Sequence, residues 1–149
     1  MIEPERVLSI RRQCELLGLN RGSFYYEPVG ETEENLTIMR REDAAILGWI
    51  GIGHGGDQQR GDLDFGYALL PVHWGQGYAP EALRALMDWC FLHLDIQGIY
   101  GECDAANPRS ARVMLKAGMV EEFAPGHEGE RRFAMSRKQW NTTRDDPRP

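Results

Sequence analysis

Residues 74–82 read WGQGYAPEA, and this stretch decides the fold. The run LDFGYALL just before it is rich in apolar and aromatic residues and predicts a strand that stops at Pro71, which cannot donate to a central ladder. Pro80 suits the first turn of a helix, and Glu81 suits the positive end of its dipole. The sequence therefore predicts a strand, a glycine loop and a helix that opens at Pro80 and extends to about Leu94.

The glycine loop itself predicts an anion-binding site. Consecutive backbone N–H groups at a helix start have no partner within the helix, and the dipole adds positive potential, so a pyrophosphate can be bound without Lys or Arg. Gly75 and Gly77 let the backbone approach a ligand because they carry no Cβ. The same spacing also occurs in loops that only join a strand to a helix. A second match, GxGxxG at residues 51–56, is followed by another predicted strand, so no helix dipole supports phosphate binding there.

Further elements are predicted on either side of this unit. The runs LTIMRR and AILGWIGIG are separated by a charged turn and predict a hairpin. GIYGECDA predicts a strand, and the helix after it opens at Asn107-Pro108 and closes at Gly118, with Asn as N-cap and Gly as the C′ residue. Residues 132–136 predict a last strand, and NTTRDDPRP predicts a disordered tail. The apolar face of the helix after the glycine loop is expected to carry Leu83, Leu86, Met87, Cys90 and Leu94.

Composition restricts the functions open to the chain. Its 149 residues are the size of one domain, and a net charge of -6 argues against whole-chain affinity for nucleic acid or anionic membranes. The three cysteines are widely spaced without a CxxC pair, and the four histidines lack ligand spacing, so neither a metal site nor a disulfide framework is predicted. The first residues lack the apolar core of a signal peptide, and no run is long enough to span a bilayer. We therefore expect a cytoplasmic protein.

Two stretches carry a family resemblance. GYALLPVHWGQGYAPEALRALMDWCF and GIYGECDAANPRSARVMLKAGM resemble the acyl-CoA-binding core of GNAT N-acetyltransferases, specifically the Rim-type branch that acetylates N-terminal amines of ribosomal proteins. The glycine loop, the Asn-Pro-x-Ser helix start and the Lys-x-Gly-Met helix end occur in the same order and at the same spacing. The resemblance covers about residues 36–140 and implies an α/β (α+β) fold with a mixed, largely antiparallel sheet flanked by helices. It also implies an N-acetyltransferase that uses acetyl-CoA and no metal, with a primary amine as acceptor.

The resemblance assigns residues to the site. It implies that the CoA pyrophosphate lies on the backbone of the glycine loop, that the end of the preceding strand runs along the pantetheine, and that the start of the second helix faces the thioester. Developing oxyanion charge is expected at a backbone N–H near the end of the same strand. The implied cofactor-binding residues are Leu69, Leu70, Trp74, Gly75, Gln76, Gly77, Tyr78, Ala79, Asn107 and Ser110.

Acid and base groups are also needed, because amines are protonated at neutral pH and the departing thiolate needs a proton. Asp64 occupies the place of an acidic residue in the family and is the candidate base, although an ordinary exposed carboxylate on a strand has the same appearance. Many members protonate the thiolate with a Tyr at the position that Met114 holds here. Ser110 or a water molecule is therefore expected to take that role.

The first part of the chain has a different texture. About residues 7–41 resemble the helix-turn-helix start of OrfB-type insertion-sequence transposases, and the strand and two helices with which the acetyltransferases normally begin are missing. We therefore predict a chimeric gene with a transposase-like helical fragment at 1–35, an acyl-CoA-binding domain at 36–140 and the tail at 141–149. In that arrangement LTIMRR becomes an exposed sheet edge, which invites a homodimer.

Three functions remain open from the sequence. The first is an enzyme that transfers acetyl from acetyl-CoA to a protein N-terminus or a small-molecule amine by direct attack, without a covalent enzyme intermediate. The second is a catalytically impaired relic that binds acyl-CoA but has lost its acceptor half. The third is a DNA-binding module built on the first helices, which is disfavoured because the arginines there are offset by glutamates.

Overall fold

The computed structural model describes residues 34–53, 62–123 and 128–145. The predicted helical fragment before residue 34, the loop that follows residue 53 and the last four residues lie outside the described residues. The transposase-like segment and the chimeric origin therefore remain predictions.

A single sheet forms the framework of the described residues. Its strands are β1 (Glu34–Met39), β2 (Ile46–Gly53), β3 (Asp62–Leu69), β4 (Gly98–Asp104), β5 (Val120–Glu122) and β6 (Glu130–Ser136). Their spatial order is β1-β2-β3-β4-β6-β5. Only the β3–β4 pair is parallel, and the other four pairs are antiparallel. The mixed, largely antiparallel fold expected from the sequence is confirmed.

Within the described residues, three α-helices accompany the sheet: α1 (Tyr78–His93), α2 (Pro108–Lys116) and α3 (Arg137–Asp145). Helix α1 begins at Tyr78, with Gly77 as its N-cap, so the predicted start at Pro80 is slightly late. Helix α2 begins and ends as predicted. The Asn107 side chain accepts a hydrogen bond from the Ser110 N–H at 3.2 Å, and Gly118 adopts the left-handed conformation (φ 95°) just past the last turn.

All three helices pack on one face of the sheet. Of the five residues predicted for the apolar face of α1, four are buried and Leu94 is half-buried, whereas Phe91 is buried in addition. These side chains lie against alternate residues of the strands, because a strand turns every second side chain to the same face. The strand residues of this core are Ile50, Ile52, Leu63, Ile99, Cys103, Phe133 and Met135.

The C-terminal segment differs from the prediction. Residues 141–145 were expected to belong to a disordered tail, but they continue helix α3. Trp140 explains the difference, because it is buried, stacks on Phe91 with ring centroids 5.1 Å apart, and donates its indole N–H to Asp88 at 2.7 Å. Arg137 adds hydrogen bonds of 2.7–2.9 Å to three carbonyl oxygens at and after the end of α1. Tertiary contacts therefore stabilise a helix whose own sequence is polar.

Strand β1 is the outer strand on one side of the described sheet. Its apolar side chains Leu36 and Met39 are 47% and 58% exposed. Among the described residues no strand pairs with the outer edge of β1, and an unpaired strand edge is a template for pairing with another chain. Homodimerisation through β1 stays a prediction.

Candidate functional site

The glycine loop is exposed and its backbone is unusually shaped. Gly75 and Gly77 have φ values of 74° and 84°, a left-handed region that L residues adopt only at a cost. Cβ atoms built on these two glycines would meet nothing within 4 Å, so the space in front of the loop is open. The positive φ values are therefore required by the path of the backbone and not by crowding.

The loop presents a row of backbone donors. Among the described residues, no turn or loop hydrogen bond is donated by the N–H groups of Gly75, Gln76 or Gly77. The N–H groups of Tyr78 and Ala79 belong to the first turn of α1, where no partner exists within the helix. Five consecutive N–H groups thus gather at the positive end of a helix of 16 residues. This arrangement is suited to a diphosphate.

A gap opens in the sheet beside the loop. Strands β3 and β4 pair only from Asp62 to Asp64 on β3 and from Gly98 to Tyr100 on β4. Beyond those residues the parallel strands separate, and we call the space between residues 65–69 of β3 and 101–104 of β4 the gap. The Phe65 ring packs where a Cβ of Gly101 would lie, so it fills the inner end of the gap. The open end leads to the glycine loop, because that loop follows β3 after one short 3₁₀ turn, Pro71–His73.

A hydrogen-bonded pair lies on the helix-covered face of the gap. The Tyr67 hydroxyl of β3 lies 2.9 Å from the Ser110 Oγ in the first turn of α2. Burial raises the pKa of the Tyr67 hydroxyl, so the phenol stays protonated at neutral pH. The Cys103 thiol of β4 lies beside the same serine, and burial raises its pKa as well. Three side chains from three elements therefore meet at one point.

A second set of contacts holds the glycine loop against the mouth of the gap. Trp74 donates its indole N–H to the Leu69 carbonyl oxygen at 2.9 Å. The Arg109 guanidinium from the start of α2 lies over the Trp74 ring, 5.1 Å from its centroid. The Gln76 side-chain amide donates to the Val72 carbonyl oxygen at 3.1 Å. Arg109 also brings a positive charge close to the row of backbone donors, which favours an anion there.

The candidate base lies on the other face of β3. Asp64 and Tyr67 are an odd number of residues apart, so their side chains point to opposite faces of the strand. Asp64 is half-buried at the last paired position before the strands separate, opposite Tyr100 of β4 and Gly53 of β2. It therefore lies at the edge of the gap, on the face of the sheet opposite the three described helices.

The structure brings most of the expected cofactor residues to one place. Leu69 and Leu70 end β3 at the mouth of the gap, and residues 74–79 follow them. Leu70 donates its N–H to Leu47 of β2 at 2.9 Å, and because N–H directions alternate along a strand, the Leu69 N–H points toward the gap. Asn107 is the N-cap of α2, so its side-chain oxygen is already engaged. The assigned roles of these residues stay predictions.

The sequence reasoning missed Tyr67, Arg109 and Cys103. Of these three, only Tyr67 could have been predicted from the local sequence. It carries a hydroxyl and lies two positions before Leu69, so the two residues share one face of the strand. The described segments contain no cluster of His, Cys, Asp and Glu that could hold a metal. They also contain no helix that is long and apolar enough to cross a bilayer.

Known proteins that resemble this chain include acetyltransferases. A family model described as an acetyltransferase (GNAT) domain matches residues 21–120, and so begins before the predicted domain start at residue 36. The uncharacterised N-acetyltransferase YnaD of Bacillus subtilis is 26% identical over 128 residues, which are 80% of this chain and 74% of that protein. FsC-acetyl coenzyme A-N(2)-transacetylase of Aspergillus fumigatus is 34% identical over 87 residues, 52% of this chain but only 37% of that protein.

The fold has close counterparts among solved structures. Aminoglycoside acetyltransferase AAC(6')-Ib in complex with coenzyme A and kanamycin aligns with a TM-score of 0.64 at 18% identity, over 75% of this chain and 71% of that one. At this identity the likeness concerns the fold alone.

Proposed function

Because the chain belongs to the GNAT acetyltransferase family, we propose that it transfers an acetyl group from acetyl-CoA to a primary amine. One observation carries the proposal: the row of free backbone N–H groups at the start of α1 stands beside a gap between two parallel strands. The first feature suits the diphosphate of CoA, and the second offers a slot for its narrow pantetheine arm.

The residues present fit acetyl-CoA. In the proposed complex the diphosphate accepts hydrogen bonds from the backbone of Gly75 to Ala79, and the open space in front of the two glycines receives it. The pantetheine enters the gap past Leu69 and Leu70. Trp74 and Arg109 flank the entrance. Acetyl-CoA supplies the activated acyl group, and the protein orients it.

The two faces of the gap suggest how the transfer proceeds. The amine approaches from the face of Asp64, which accepts its proton directly or through water. The Leu69 N–H points toward the gap and donates to the oxygen that becomes negative during attack. The leaving sulfur then lies toward the helix-covered face. Attack in a ternary complex fits this arrangement, because both partners reach the same carbon from different sides.

The proposed acceptor is a primary amine on a protein N-terminus or on a small molecule. The resemblance to the Rim-type branch favours a protein N-terminus. Solved structures that share the fold at 18% identity include an aminoglycoside acetyltransferase and spermidine N-acetyltransferases of Vibrio cholerae, so the fold also accommodates small-molecule amines. Amines of all three kinds belong in the test.

Two assays test the proposal. Calorimetry with acetyl-CoA should show one site, and a thiol-release assay over N-terminal peptides, polyamines and aminoglycosides should show turnover with at least one acceptor. Binding without release from any acceptor would favour the catalytically impaired relic. Lack of acetyl-CoA binding would reject the acetyltransferase reading altogether, and a gel-shift assay on duplex DNA would then examine the DNA-binding module.

A further inference from the structure

The Tyr67 hydroxyl occupies a place in the gap that the reaction needs. It lies on the same face of β3 as Leu69, about 7 Å farther from the loop along the strand. A pantetheine that enters past Leu69 therefore carries its thioester toward Tyr67. The phenol is largely shielded from solvent and is held by Ser110 at 2.9 Å. Its position is thus fixed before any ligand binds.

The proposed transfer creates a thiolate inside this gap. Such a leaving group departs faster when an acid protonates it, an effect worth about 10²- to 10⁴-fold in rate. Met114, which stands where the family resemblance implies a Tyr, has no proton to give and is only 1% exposed in the core. Tyr67 is the phenol that the described structure places in the gap.

We propose that Tyr67 protonates the departing CoA sulfur and that Ser110 positions and reprotonates it. The inference rests on the proposed function. As the amine nitrogen bonds to the carbonyl carbon, the carbon–sulfur bond breaks and its electron pair stays on sulfur. Sulfur takes the Tyr67 proton, the phenolate oxygen takes the Ser110 proton, and solvent water restores the serine. The proton lost by the amine leaves through Asp64, so the exchange balances.

The first test is kinetic. In Tyr67→Phe, which keeps the ring and its packing against Phe65, kcat should fall about 10²-fold or more, whereas KM for acetyl-CoA and calorimetric CoA affinity stay near the wild-type values. Ser110→Ala should lower kcat less, because the phenol remains. Ser136→Ala is the matched control, since the Ser136 hydroxyl lies outside the gap and bonds to Gln139 in the first turn of α3. An unchanged kcat in Tyr67→Phe would overturn the proposal.

The second test does not require turnover. A phenol that donates to sulfur stabilises the thiolate, so CoA bound to the wild-type chain should titrate with a lower thiol pKa than CoA bound to Tyr67→Phe. The ultraviolet absorbance of the thiolate reports this pKa, with the desulfo-CoA complex subtracted to remove the protein's own cysteines.

The outcomes separate the two levels of inference. No CoA binding by the wild-type chain rejects the proposed function and Tyr67 with it. Normal CoA binding with the same thiol pKa and the same kcat in Tyr67→Phe rejects only the assignment to Tyr67. A larger loss of kcat in Cys103→Ala than in Tyr67→Phe would identify the Cys103 thiol as the proton donor. That result would also overturn the assignment to Tyr67.

Discussion

Replacing Gly77 by alanine, with Gly118→Ala as a control, distinguishes the effect of backbone strain from the proposed binding of the CoA diphosphate by the glycine loop. Gly77 has φ 84° and ψ 2° and is the N-cap of α1, and its added Cβ would touch nothing within 4 Å. Gly118 offers a matched control, because it has φ 95° and its Cβ would make only an ordinary contact of 3.5 Å with Met135. Gly118 follows α2 at the end away from the gap. The two substitutions therefore impose the same backbone strain at different places.

The size of both effects can be estimated. A left-handed alanine costs about 1–2 kcal/mol, offset by about 0.4–1 kcal/mol because alanine also restricts the unfolded chain. Each variant should thus lose about 1 kcal/mol of unfolding free energy, or about 3 °C in Tm. Only in Gly77→Ala does the methyl group enter the space proposed for the diphosphate. Loss of one hydrogen bond to a charged phosphate, about 1.5–3 kcal/mol, weakens CoA binding about 10- to 150-fold.

Calorimetry with CoA and thermal melts on the three proteins check both numbers. The expected result is a similar fall in Tm for Gly77→Ala and Gly118→Ala, with CoA affinity reduced in Gly77→Ala alone. Equal CoA affinity in Gly77→Ala and the wild type would refute the reasoning that the loop backbone binds the diphosphate. An equal loss of affinity in both variants would mean that strain, and not the site, controls binding.

Four further changes test other parts of the structure. Arg109→Ala should weaken CoA binding several-fold and shift the Trp74 fluorescence, because the guanidinium lies over that ring; an unchanged emission spectrum would contradict the contact. Arg137→Ala should cost about 2–3 kcal/mol in urea unfolding, because it leaves three carbonyls without their charged donor. Hydrogen bonds from Arg40 and from the Ala45 N–H lower the pKa of Asp43 to about 2. The stability that this carboxylate adds is therefore complete above the pKa that Asp43 has in the unfolded chain. It is lost as the pH falls through about 2. Asp43→Asn should therefore flatten the acid limb of a Tm-against-pH curve, and an unchanged limb would argue against the contact. Leu36→Lys should convert any β1-paired dimer to monomer in sedimentation, and a dimer that survives the charge would use another surface.

Local sequence signals were enough to predict where the helices and the loop around the site begin and end. Glycine, proline and asparagine act within a few residues, so the glycine loop and both ends of α2 could be predicted from spacing alone. The start of α1 was predicted late because proline is also accepted later in the first turn, where its missing N–H leaves no broken bond.

Contacts between segments that are distant in the sequence could not be predicted from local patterns. Tyr67 and Ser110 are 43 positions apart, and Arg137 lies 41–46 positions from the carbonyls that it binds. No local pattern encodes such pairs, because they depend on how the strands are ordered. Helix α3 shows the same limit, since its polar sequence favours disorder until Trp140 finds a buried place against Phe91.

The arrangement of α2 explains why a phenol can come from β3 instead of the helix. Ser110 and Met114 are four residues apart and so lie on the same face of α2. Met114 is packed in the core, while Ser110, one turn nearer the glycine loop, reaches the gap. A tyrosine at position 114 would have to bring its hydroxyl along that face toward the space that the Tyr67 hydroxyl already holds. The Tyr67 hydroxyl holds that space, and its hydrogen bond to Ser110 ties strand β3 to helix α2.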